Sequence, residues 1–264
     1  MKQVFLSADD FGRSPNRNKA IDESFKKGLI KSAGLIMTGQ YLKDAVNLMN
    51  MGGYVEHVHC HLNVSGNING EDSLDKPLTE KMAKDRSFCE NGLYKPYNNS
   101  LPYSPSDLFK WHKVYMELCA QYNLFLQVTE GKGDSRHVDF HLWYNLTWPV
   151  SIALNVFTWT HRIKTVRYIG VQLEHTKRRI FRILSWNPFV KSYRSSNIDG
   201  FLTHPEWFEK EKHLELYCHP DYMVEKGDVM MDNSISYFKH EKKSMAEHIE
   251  LLKKYDLEFV SWNL

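Results

Sequence analysis

Two carboxylates stand side by side where an extended apolar run ends. Asp9 and Asp10 follow Val4 to Ala8, and Gly12, Ser14, Pro15 and Asn16 supply turn and helix-cap residues directly after them. Neighbouring side chains on an extended chain point to opposite faces, so one acid can hold a cation while the other serves as a base. His57, His59 and His61 recur at every second residue, as do His137, Asp139 and His141. On strands each set shares one face. Imidazoles and carboxylates together suit zinc or another divalent transition ion and leave coordination positions for water. Spacing alone does not choose the ligands, since some members can orient the ligating rings from behind. His219 closes the run Glu215 to Pro220 either as a residue on the rim of the site or as a plain cap. Arg167, after Val166, either points inward to keep a carboxylate ionised or lies on the surface.

The elements that must position these residues alternate. The first strand is followed by a helix over Asn18 to Lys27 that ends at Gly28, a strand over Ile30 to Met37, a helix over Tyr41 to Met51 broken by Gly52 and Gly53, and an extended run over Val55 to Val64. A polar insertion follows at about 65–103, with a helix near Leu78 to Arg86. Ser104, Pro105 and Asp107 open a helix that runs to about Tyr122. Thereafter come a strand over Arg136 to Leu142, a helix near Val150, and strands over Lys164 to Ile169 and His213 to His219. The last helix is opened by Ser244 with Glu247 as a capping box, and Val260 to Leu264 is read as a closing strand. Strands alternating with helices predict an α/β fold with parallel strands, economically closed as a barrel in which ligands meet the C-terminal strand ends.

With 264 residues, 42% hydrophobic, the chain can bury one large core, and we read residues 1–264 as a single domain. The net charge of +2, with acids and bases interspersed, gives no case for a nucleic-acid partner. The basic cluster Lys177, Arg178, Arg179 and Arg182 reads as a solvated helix face. Cys60, Cys89, Cys119 and Cys218 lack zinc-ribbon spacing, and with no basic and apolar leader at the N-terminus they point to a cytoplasmic setting. The sequons at Asn63, Asn98 and Asn145 carry no meaning without secretion, and the apolar stretch Leu146 to Trp159 is too short and interrupted to span a bilayer.

In order along the chain, Ala8-Asp9-Asp10-Phe11-Gly12 with Ser14, Asn18 and Ala20-Ile21, then Gly28, Ser32-Ala33 and Gly39, His61-Leu62-Asn63, His137-Val138-Asp139-Phe140-His141, Val166-Arg167 and Cys218-His219-Pro220 together form a pattern. It resembles that of the YdjC-like carbohydrate deacetylases, the family of the chitooligosaccharide deacetylases. The resemblance implies a single domain with a distorted (β/α) barrel related to the polysaccharide deacetylases. It also implies one divalent metal ion on Asp10, His61 and His141, with Asp9 as catalytic base, His219 as acid and Arg167 orienting Asp9. The implied reaction is removal of an N-acetyl group from an amino sugar, by a protein that can form a homodimer. Zinc is favoured by the ligand types, with magnesium or another divalent ion as the alternative. After His141 this chain reads Leu142-Trp143-Tyr144-Asn145 where the family has further histidines, and His59 is unusual beside Cys60. Trp143, Tyr144 and Trp148 suit either stacking on sugar rings or core packing. Rival readings are a metal-dependent hydrolase of another acyl amide or ester, a silent carbohydrate-binding protein, and a glycoside hydrolase using Asp9 with a second carboxylate, which would leave the histidines without a role.

Overall fold

A computed structural model describes residues 1–66, 75–95, 109–141, 147–167, 187–231 and 243–261. The strands are β1 (Lys2–Phe11), β2 (Ser32–Ile36), β3 (Val58–Leu62), β4 (Cys89–Glu90), β5 (Leu93–Tyr94), β6 (Asp134–Phe140), β7 (Thr165–Val166), β8 (Arg194–Asn197), β9 (His213–Cys218), β10 (Pro220–Met223), β11 (Asp228–Met231) and β12 (Leu257–Val260). The helices are α1 (Pro15–Lys26), α2 (Leu42–Gly52), α3 (Glu80–Ala83), α4 (Trp111–Val128), α5 (Trp148–Thr160), α6 (Ile198–Thr203) and α7 (Met245–Leu252).

Eight strands form one curled parallel sheet in the order β7-β6-β3-β2-β1-β9-β8, with β12 paired to the lower half of β1. The two ends of the sheet nearly meet, because Thr165 in β7 bridges Lys191, three residues before β8 begins. The fold is therefore the expected α/β arrangement, a distorted and incompletely closed barrel. The central strands β2 and β3 and most of β1 are buried on both faces, as parallel strands are. On the outer face Val4, Leu6, Leu35, Cys60, Leu62 and Val138 join Leu118, Phe125, Leu154 and Phe157 of α4 and α5 in the hydrophobic core.

The inner face is polar, against the branched apolar layers that usually fill such a barrel. His59, His61, His137, Asp139 and Glu215 are all buried there. Room for the two β3 histidines comes from Gly34, where a Cβ would stand 3.1 Å from His61 and 3.2 Å from His59.

Several boundaries differ from the sequence reading. The helix α1 starts at Pro15, because Ser14 caps it by accepting from the Arg17 N–H, and Gly28 follows its end with φ +66°. Residues Val55–His57 form a 3-10 turn, so β3 begins only at Val58, and His57 does not share the inward face of His59 and His61. The closing strand is β12, at Leu257–Val260 rather than Val260 to Leu264. The β4–β5 and β10–β11 hairpins, β8 and α6 were not anticipated, being short and without clear periodicity. The start of the helix at Ser104, the aromatics Trp143 and Tyr144, and the basic cluster Lys177 to Arg182 lie outside the described residues.

Candidate metal centre

The strand β1 ends in a strained turn that separates its two acids. Asp10 has φ +69°, a left-handed conformation that aspartate tolerates better than most residues, and Gly12 has φ +104°. The turn is held by the Gly12 N–H donating to Asn18 Oδ1 at 2.7 Å, and by the Tyr41 N–H donating to the Gly12 carbonyl at 2.9 Å. Gly39 has to be glycine here, since a Cβ would meet the Gly12 oxygen at 2.3 Å.

The register of β3 against β6 pairs His61 with Asp139, and β1 runs between β2 and β9. These pairings bring the separate sequence motifs together. Asp10 Oδ1 lies 2.7 Å from His141 Nδ1 and 3.4 Å from His61 Nε2. Asp10 Oδ1 and His61 Nε2 are both buried and, among the described residues, neither makes a well-aligned hydrogen bond. A carboxylate oxygen and imidazole nitrogens buried this close together can serve as ligands around a common point. Asp10, His61 and His141 thus fit a divalent cation, as the chemistry of one carboxylate and two imidazoles requires.

A second shell holds this group. The Asp139 carboxylate accepts from His61 Nδ1 at 2.6 Å, from His59 Nε2 at 3.0 Å and from Arg167 Nη2. A carboxylate behind a ligating histidine fixes its tautomer and leaves the other nitrogen for the metal. His59, His137 and Asp139 form another compact set one step deeper, and Asp9, His61 and Asp139 a third. Both of these sets already contact a cation, Arg167, through Asp139, which makes them poorer metal sites than Asp10, His61 and His141.

Arg167 is fully buried and collects three carboxylates. Its Nη2 donates to Asp9 Oδ2 at 2.8 Å as well as to Asp139, and its Nε is 3.5 Å from Glu215 Oε1. Burial works against its charge, but these acids outweigh it and raise its pKa. The Tyr217 ring lies 4.8 Å from the guanidinium and 5.8 Å from the His219 ring. His219 Nε2 stands 3.9 Å from Asp9 Oδ2 at the open side of the site, 15% exposed.

Titration follows from burial and neighbours. Burial raises the Asp10 carboxyl, yet His141 and the Arg13 guanidinium hold it well below the usual range. Burial depresses His61, but Asp139 and Asp10 reverse this and lift it to about 10. His141 is pushed down by burial to about 4, so it is neutral. Burial raises Glu215 to about 8 despite Arg167.

The six residues to which the resemblance gives roles, Asp9, Asp10, His61, His141, Arg167 and His219, meet at this end of the barrel. Two neighbours were missed. Glu215 on β9 shares the period-two arithmetic of Tyr217 and of His219 just past the strand's end, a charged residue between two leucines, and could have been found that way. Arg13 carried no periodic signal; the turn aims its Nη1 at Asp10 Oδ2 (3.1 Å) and His141 Nε2 (3.0 Å).

Comparison with known proteins agrees with this picture. The sequence model of the family described as YdjC-like protein matches residues 3–254. A carbohydrate deacetylase from Xenopus laevis is 25% identical over 140 residues, and this match covers 53% of the chain and 42% of the length of that relative. A crystal structure from Enterococcus faecalis V583, provisionally described as a cellobiose-phosphate cleavage protein, superposes with a TM-score of 0.65 over 95% of this chain and 90% of its own. At 16% identity that likeness speaks for the fold.

Proposed function

The chain belongs to the YdjC-like protein family, and from that premise we propose that it is a metal-dependent carbohydrate deacetylase, hydrolysing the N-acetyl group of an amino sugar or oligosaccharide. One observation carries the reading. Asp9, held by Arg167, lies next to the converging Asp10, His61 and His141, with His219 Nε2 3.9 Å away. In this reading Asp10, His61 and His141 hold one divalent cation, Asp9 is the base, His219 the acid, and Arg167 positions Asp9. When bound, the cation polarises the acetyl carbonyl and makes water more acidic. Two imidazoles with one carboxylate favour zinc, and magnesium or another divalent ion is the alternative.

The chain's own groups divide the proton traffic. Arg167 fixes Asp9 Oδ2, while Asp9 Oδ1 is buried and without a hydrogen-bond partner among the described residues. In this reading that oxygen takes a proton from the attacking water. As the water oxygen bonds to the acetyl carbon and the carbon–nitrogen bond breaks, His219 gives a proton to the leaving amine. Acetate and a free amino sugar result. The four cysteines are free thiols, in keeping with the cytoplasmic setting we propose for it.

A second reading, hydrolysis of another acyl amide or an ester, uses the same groups. The test is to incubate metal-loaded protein with N-acetylated mono- and oligosaccharides and with an acetate ester, measuring acetate and free amine. Equal amounts of acetate and amine from a sugar support deacetylation. Acetate from the ester alone moves the assignment to an esterase, and no product from protein that holds metal points to a binding protein.

A further inference from the structure

His141 has one accepting nitrogen, and Arg13 already uses it. A guanidinium only donates, so the 3.0 Å contact from Arg13 Nη1 assigns His141 Nε2 as the unprotonated nitrogen and places the ring proton on Nδ1. The same Nη1 donates to Asp10 Oδ2 at 3.1 Å. Arg13 therefore grips two of the three residues that converge at the centre. Its backbone N–H donates to the Asp10 carbonyl at 3.2 Å, so the left-handed turn itself directs the side chain back onto the site. The side chain is 14% exposed, and its buried Nη2 has no hydrogen-bond partner among the described residues.

We propose that Arg13 is a built-in competitor for the divalent cation, so that filling the centre expels its guanidinium from His141. The inference rests on the reading of Asp10, His61 and His141 as metal ligands. It is an argument about lone pairs. A cation must take an imidazole lone pair, and neutral His141 has one. Binding at Nε2 displaces the guanidinium directly. Binding at Nδ1 sends the ring proton to Nε2, where an N–H would face the guanidinium donor to donor. Either way the contact breaks. The two cations would also share the Asp10 carboxylate and repel one another. Linkage makes the effect reciprocal, so metal loosens Arg13 by as much as Arg13 weakens metal.

The test is zinc affinity, by competition with a chromogenic chelator, for wild type, Arg13→Gln and Arg13→Lys. Losing a charge-assisted hydrogen bond from the metal-free form should tighten zinc by about ten- to a hundredfold in Arg13→Gln, with Arg13→Lys between the two. A second readout needs no variant. Phenylglyoxal labelling of Arg13 in wild type, followed by peptide mass spectrometry, should speed up when zinc is added. Zinc affinity unchanged or weaker in Arg13→Gln, or labelling unchanged or slowed by zinc, overturns the proposal. If neither wild type nor Arg13→Gln binds zinc, the metal reading falls and takes the inference with it; if both bind equally, the inference alone falls.

Discussion

Replacing Asp139 by Asn should keep a proton on the metal-facing nitrogen of His61 even when the ring is neutral. The wild-type carboxylate accepts from one donor at Oδ1, His61 Nδ1, and from two at Oδ2, His59 Nε2 and Arg167 Nη2. An asparagine amide offers one acceptor and one donor group in the same places. Turning the NH2 toward Oδ2 opposes two donors, whereas turning it toward Oδ1 opposes one, so the second orientation is preferred. His61 Nδ1 must then accept, so the neutral ring keeps its one proton on Nε2, the atom that lies 3.4 Å from Asp10 Oδ1. Loss of such an outer partner typically costs about 10–100-fold in metal affinity. Arg167 keeps Asp9, so the charge is not left bare, and the stability loss should be about 1–3 kcal/mol. Zinc affinity by chelator competition and stability by urea unfolding measure the two effects separately. Zinc affinity within about threefold of wild type, in a variant that folds, would refute the assignment of Asp139 as the group that sets the His61 tautomer.

Other perturbations follow from the same geometry. Gly34→Ala places a Cβ 3.1 Å from His61 Nδ1 and 3.2 Å from His59 Nε2, which should cost about 1–3 kcal/mol in thermal or urea unfolding and also weaken zinc. His61, raised to about 10, carries a proton that must leave before its Nε2 can ligate, so zinc affinity should rise about tenfold per pH unit through neutrality and level off near that value; a pH-independent affinity would contradict this. Away from the centre, buried His248 donates to Asp199 Oδ1 at 2.9 Å and is raised above its usual value against the effect of burial. A folded pKa above the unfolded one gives stability that is complete below about 6.5 and is lost as pH rises through the folded value. His248→Gln should therefore destabilise the protein more at pH 5.5 than at pH 9, as read from urea midpoints.

The parts of this structure that were legible in the sequence are those with a strong local rule. Period-two spacing placed His59 with His61 and His137 with Asp139 and His141 on inward faces, and the capping box at Ser244 and Glu247 marks the start of α7. What spacing could not supply was the pairing of distant strands. Only the β3–β6 register, setting His61 opposite Asp139, separates the proposed ligands from the carboxylate behind them. His57 fits the period but not the structure, because the 3-10 turn over Val55–His57 delays the strand by a turn's length and leaves that ring partly exposed. Arg13 was hidden for another reason. Its role depends on two positive φ angles in the preceding turn, and at Asp10 nothing in the residue type demands one.

The central claim, a metal-holding Asp10 beside a proton-taking Asp9, is tested most directly by comparing Asp9→Asn with Asp10→Asn for bound zinc and for acetate release from an N-acetylated sugar that wild type cleaves. Asp9→Asn should keep its metal and lose about 10²–10⁴-fold in turnover, while Asp10→Asn should lose metal and turnover together. An Asp9→Asn protein that still releases acetate at the wild-type rate, or an Asp10→Asn protein that holds zinc as wild type does, would contradict it.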